Sequence, residues 1–181
     1  MSTRQDALRA ELDAAHAELL ALVEQFQQTD WSRAVNPAWD AHDVLAHLSD
    51  AEGGLRLVID VARFGLSVPV PDAFVHLLNR AQVNANRPRA IAELLAKLEA
   101  VRARTLQRLD ALTERDLDKR AFRPLYGRGT IESLFRDIAV HEAGHVQAIK
   151  EVLMADSRVN SCYVVPLTIS SNHTPSRGKG S

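Results

Sequence analysis

Apolar residues recur along this chain in alternating steps of three and four. Near the start they fall at Leu8, Leu12, Ala15, Leu19, Leu22 and Phe26, and later at Val44, Leu48, Ala51, Leu55, Ile59 and Ala62. A third set is Ile91, Leu94, Leu98, Val101, Thr105, Leu109 and Leu112, and a fourth is Ile131, Leu134, Ile138, Ala148 and Val152. With Arg, Glu and Gln between them, each set is the stripe of an amphipathic helix packed in a bundle. The pattern predicts helices over residues 4–28, from Asp40 to the break at Phe64, from Pro88 past Leu109, and from a Thr130 cap to Val152. A shorter helix is expected from Asp72 to about Asn84, with Phe74, Leu77, Leu78 and Ala81 inward. Thr113 and Asp116 read as a capping box opening a short turn. Phe122 to Gly129, with Pro124 and Gly127, reads as a loop. β-Branched runs are nearly absent, so the fold class is all-α: a four-helix bundle with connectors long enough to cross over. The expected domain is 1–155. Residues 156–181, rich in Ser, Asn, Pro and Gly, read as an irregular, partly disordered tail, in which Cys162 to Ile169 is apolar enough to form a strand or lie on the bundle.

The fourth stripe passes through His141 and His145. Imidazoles four residues apart on one helical face can converge on one metal ion. Residues 141–145 also spell H-E-x-x-H, the metalloprotease helix motif. A protease of that type needs a third ligand downstream and a neighbouring sheet. Glu151, Asp156 and His173 are too near or lie in the tail, and no sheet is expected before the motif. A zinc protease is therefore disfavoured, and the better third ligand is His47, on the flank of the second helix. His42 is about 140° around the wheel from His47, and His16 lies off its own stripe, so neither joins the set. Asp43 and Asp137 each stand four residues before a candidate ligand, placed to receive that histidine's free N–H. Glu142, about 100° off the histidine face, is the candidate general base. Trp39, in a connector that also carries Trp31, is a candidate pocket wall, and Asn79 a candidate buried polar group lining it. Three neutral imidazoles leave a divalent ion its full charge and an open position, which suits activation of water or of a thiol.

A length of 181 residues fits one domain. A net charge of −1, with arginines interleaved among acids, argues against nucleic acid or an anionic membrane as partner. The lone Cys162 and the absence of a long apolar run lead to the expectation of a cytoplasmic protein without signal peptide or spanning helix. The basic residues are 18 Arg and 4 Lys, a bias common in GC-rich bacteria.

Four segments together resemble the DinB/YfiT-like superfamily of metal-dependent enzymes: W-D-A-H-D-V-L-A-H-L-S-D-A-E at 39–52, L-N-R-A-Q-V at 78–83, R-P-R-A-I-A-E-L-L at 87–95 and H-E-A-G-H-V-Q-A-I at 141–149. The resemblance covers roughly Asp6 to Met154. It implies a four-helix bundle with crossed connections, often a homodimer, holding one divalent ion (Zn, Ni, Fe or Mn) on His47, His141 and His145. Members are similar to transferases and isomerases that use mycothiol or bacillithiol, and others to metal-dependent hydrolases. The resulting expectation is an enzyme that activates a thiol or water against a small electrophilic molecule, with a low-molecular-weight thiol as possible co-substrate. Two alternatives stand beside it: a non-catalytic metal- or ligand-binding bundle of stress response, and a bundle whose histidines merely fill the core.

Overall fold

The computed structural model describes residues 2–26 and 28–161. Helix α1 (Thr3–Gln25) opens on a complete capping box: the Gln5 amide donates to Ser2 Oγ at 3.3 Å and the Ser2 amide to Gln5 Oε1 at 2.9 Å. A 3-10 turn at Gln28–Ser32 leads to α2 (Ala41–Arg63), where Asp40 caps by accepting from the Asp43 amide at 2.8 Å. Then come α3 (Asp72–Asn86), α4 (Ile91–Asp110) and the short α5 (Glu114–Leu117), which carries the expected Thr113–Asp116 capping box. The last helix is α6 (Ile131–Ser161). Three boundaries differ from the sequence reading by three residues or more, the first being the end of α1, at Gln25 instead of 28. Helix α4 starts at Ile91 rather than Pro88, because the Glu93 carboxylate reaches back to the Ala90 amide at 2.9 Å and fixes the entry there. Helix α6 runs past Val152 and past the expected boundary at Ala155, to Ser161. Residues 162–181, including the apolar run from Cys162, lie outside the described residues.

The stretch expected as a loop before α6 is a β-hairpin. Strand β1 (Arg120–Arg123) pairs antiparallel with β2 (Gly127–Thr130), Arg120 opposite Thr130 and Arg123 opposite Gly127. Four-residue strands carry too little alternation to stand out from a loop in sequence. A two-stranded ribbon leaves the bundle's class unchanged. It is not the sheet of an H-E-x-x-H protease.

The four long helices are arranged so that α1 is flanked by α4 and α6, and α2 by the same two. Sequential helices α1 and α2 thus occupy opposite corners, the crossed arrangement that the long connectors allow. The core divides into two apolar clusters. One, at the α6 N-terminal end, gathers Leu8, Leu12, Ile59, Leu109, Leu134 and Phe135. The other, towards the α6 C-terminal end, gathers Leu19, Trp31, Leu45, Leu94, Leu98, Ile149 and Leu153.

Between the clusters lies a layer of polar groups drawn from all four long helices, with the side chains from α2, α4 and α6 buried. Arg102 of α4 is only 4% exposed. Its Nε donates to both oxygens of Glu52 on α2 at 3.1 Å, and its Nη2 to Glu142 Oε2 on α6 at 2.5 Å. Nη1 donates to the Leu12 carbonyl of α1, and the other Glu142 oxygen meets His16 Nδ1, also on α1, at 3.2 Å. One guanidinium therefore ties all four helices in a layer that fixes their axial register. Arg102→Met strands two buried carboxylates, and urea unfolding should show a loss of about 3–5 kcal/mol. A loss under about 1 kcal/mol would refute the clamp.

Candidate metal centre

His47 sits on the second turn of α2, and His141 and His145 lie mid-way along the neighbouring α6. Their ring edges converge. His141 Nε2 is 3.1 Å from His47 Nε2 and 3.2 Å from His145 Nε2. The rings stand nearly perpendicular to one another, with centroids 4.6 to 5.2 Å apart. His47 is 3% exposed and the α6 pair half-buried. Asp40, His42 and Asp43 also lie close together, but each is engaged: Asp40 in the helix cap, His42 Nε2 at 2.9 Å from the Arg89 carbonyl, and Asp43 with Arg87.

The three imidazoles fit a divalent ion. Nitrogens held about 2.0–2.1 Å from one ion at angles near 90–109° stand about 2.9–3.4 Å apart, which matches both separations. They do not fit each other. An imidazole nitrogen has one in-plane position, a lone pair or a hydrogen, so His141 Nε2 cannot hydrogen-bond well to both neighbours at once. A cation satisfies all three lone pairs. Burial, with the neighbouring imidazoles adding to it, lowers the His47 pKa to about 3. Burial likewise lowers His141 to about 4 against smaller opposing effects of Glu142 and Asp137, and lowers His145. All three rings are thus neutral at pH 7, the form that coordinates metal.

The acids that the sequence offers to these histidines are engaged elsewhere. Asp43 does not take the N–H of His47: its two oxygens accept from Arg87 Nε and Nη2, each at 2.8 Å. His47 Nδ1 is buried and without a hydrogen-bond partner among the described residues. Asp137 does not pair with His141 either, because Arg123 of β1 reaches it at two points, 2.7 and 2.5 Å. Glu142, the expected general base, is 3% exposed with one oxygen on Arg102 and the other on His16. Its contacts make it part of the buried clamp. Trp39 packs against the His47 ring, centroids 5.0 Å apart, and does not line the cleft described next. Asn79 does line it.

That cleft, of about 220 Å³, opens from His47 and His141 between α2, α3 and the hairpin tip. Ala51, Leu55 and Val58 of α2 form its floor, and Phe74, Leu78, Asn79 and Gln82 of α3 one side. Pro124, Leu125 and Tyr126 form its lip. Phe74, Leu77 and Leu78, expected inward, are 56, 65 and 42% exposed, because α3 packs on α2 and overhangs the cleft instead of joining the bundle. The lip is set by Gly129, where a Cβ would lie 2.2 Å from Arg123 Cδ; the absence of that atom lets Arg123 cross to Asp137. Sequence reasoning missed Arg87, Arg102 and Arg123. Arg87 and Arg123 are ordinary surface residues by pattern, whereas Arg102, four residues after Leu98 and three before Thr105, is in step with the buried stripe of α4; no local signal marks the acidic partner of any of them.

Depressed histidine pKa values carry a stability sign. The unfolded chain takes up these protons near pH 6.5, whereas the folded one resists until near 3 to 4 at His47 and His141. The stability they contribute is full above about pH 6.5 and is lost as pH falls towards 4. Metal-free protein should therefore have a lower urea midpoint at pH 5 than at pH 7. In the His47→Gln/His141→Gln variant that difference should shrink; an unchanged difference would contradict neutral buried rings.

Among known proteins, the structure is similar to Bacillus subtilis YfiT, described as a probable metal-dependent hydrolase with an unusual four-helix bundle topology. The TM-score is 0.69 at 18% sequence identity, over 88% of this chain and 90% of YfiT. No curated protein matches the sequence. The family model of the DinB superfamily matches residues 11–149. With its crossed four-helix bundle and that match over most of its length, the chain belongs to the DinB superfamily.

Proposed function

We propose that this protein is a metal-dependent enzyme, with His47, His141 and His145 holding one divalent ion, and that it hydrolyses a small electrophilic substrate. The observation that carries the reading is the convergence of three neutral Nε2 atoms at 3.1 and 3.2 Å beside an open cleft. YfiT, with its described hydrolase character and the same fold, supports it. Bound there, the ion would supply Lewis acidity and bring the pKa of a coordinated water towards ~7. The chain's own residues do the rest. The imidazoles contribute no charge and would leave the ion its full positive charge. Arg87, Arg123 and Arg102 withdraw the nearby carboxylates from the ion. The apolar floor at Ala51, Leu55 and Val58 excludes bulk water and strengthens electrostatics at the reacting end of the substrate. Glu142 is assigned to the clamp, and a thiol as nucleophile is the second form of the same chemistry.

Equilibrium dialysis against zinc, nickel, manganese and iron(II), followed by elemental analysis, should give one ion per chain. His47→Ala and His141→Ala should each abolish that stoichiometric binding and lower hydrolysis of small activated esters at least about a hundredfold. Stoichiometric metal without turnover of any ester or amide would leave a binding protein; no metal would remove the reading. Glu142→Gln should lower the unfolding midpoint while kcat of the metal-loaded protein stays within about threefold. A loss near that of a general base, on the order of 10²–10⁴-fold, would return Glu142 to the chemistry.

A further inference from the structure

The cleft has a selectivity of its own, and the question it answers is what the substrate carries besides its reacting end. Among the described residues, no lysine or arginine lines it. Its two carboxylates are already matched: Asp50 accepts from Lys97 and from Asn86, each at 2.6 Å, and Asp137 from Arg123. A charged substituent would lose its hydration there without gaining a counter-ion, which is costly at any depth from water. The hydrogen-bonding groups left to a ligand are neutral. Asn79 and Gln82, one turn apart on α3, are half-buried and face the cleft, and neither side-chain amide has a hydrogen-bond partner among the described residues. The remaining wall is aliphatic or aromatic. Size narrows the class further. An apolar cavity of about 150 Å³ takes benzene, so on the same scale this cleft takes roughly nine or ten non-hydrogen atoms, below the usual volume for drug-sized ligands.

We infer that the cleft selects a compact, uncharged molecule with an apolar body of about one aromatic ring, whose polar reacting end lies at His47 and His141 and whose neutral polar substituent, where it has one, meets the Asn79 and Gln82 amides. The inference rests on the metal reading and deepens it. It also means that a low-molecular-weight thiol bearing several charged groups gains nothing from these walls. Phe74 of α3 and Tyr126 of the hairpin, both exposed, line the same cleft and offer aromatic contact to such a body.

Hydroxamates separate the two layers of this argument, because the hydroxamate group binds the metal and the remainder reports on the cleft. With zinc-loaded protein and isothermal titration calorimetry, acetohydroxamate measures the metal alone. Benzohydroxamate should bind at least about tenfold tighter, since each buried methylene-equivalent is worth about fourfold. Its 4-carboxy and 4-aminomethyl derivatives should lose that gain. Phe74→Ala should reduce the gain severalfold, and it should not unfold the protein because the ring is 56% exposed. Phe64→Ala, at an exposed residue outside the cleft, should leave the gain intact. If acetohydroxamate fails to bind, the metal reading falls and the inference with it. If acetohydroxamate binds but benzohydroxamate gains nothing, or the charged derivatives bind as tightly as benzohydroxamate, the metal reading survives and the selectivity does not.

Discussion

The buried guanidinium of Arg102 is the contact on which the arrangement of this bundle depends. Apolar helix faces attract one another without direction, and a stripe of Leu and Ala tolerates sliding by a turn or rotation by a residue. A cation 4% exposed does not. Its donors must meet Glu52, Glu142 and the Leu12 carbonyl together, which requires α1, α2, α4 and α6 at one height and one rotation. Such a layer is weak evidence for net stability, since desolvation offsets much of the attraction, but it specifies geometry. Here the geometry it specifies includes the rotation of α6. Glu142 turned to the centre places His141, one residue away, at the edge of the buried stripe and facing α2.

Arginines also decide what surrounds the histidines. Three acids stand next to the candidate ligands in sequence: Asp43 before His47, Asp137 before His141 and Glu142 after it. Each is held by an arginine from a different element, Arg87 at the end of α3, Arg123 in β1 and Arg102 in α4. A carboxylate on a ligating histidine raises the basicity of the ring and softens the ion's charge. Withdrawing all three leaves neutral donors, and His47 Nδ1 has no partner among the described residues. An ion held by such a set would remain strongly electrophilic.

The hairpin and α3 give this centre its approach. Arg123 anchors the ribbon on Asp137, four residues before His141, so the tip at Leu125 and Tyr126 hangs over the cleft mouth. Leu125 takes a left-handed backbone, with φ of 68°, at that tip. Helix α3, packed chiefly on α2 and tied to α4 where Lys97 Nζ donates to Asn86 Oδ1 at 3.1 Å, supplies the facing wall. Neither element is one of the four bundle helices, although Ala121 of β1 is buried in the core, and neither supplies a side chain to the clamp.

By itself the sequence determined the four long helices and singled out the three histidines that the fold brings together. The periodicity of Leu8 to Leu22 or Ile91 to Leu109 is a local property, and a histidine at helical spacing within a stripe is visible without a partner. Even the small Thr113–Asp116 cap was legible, because its donors and acceptors are three residues apart. Tertiary structure alone decided the roles of the acids. Whether Asp43, Asp137 or Glu142 serves a histidine depends on which cation lies nearest in space, and Arg87, Arg102 and Arg123 are 44, 40 and 14 residues away from their partners. The same holds for the exact face of α6. A stripe through Ile131, Leu134 and Ile138 continues equally well to His141 or to Glu142, Val146 and Ile149, and burial chose the second. Helical wheels fix a face to within about one residue, or 100°. Only the partners across the bundle settle the rest, and here they turned the histidines to the cleft and the glutamate to the core.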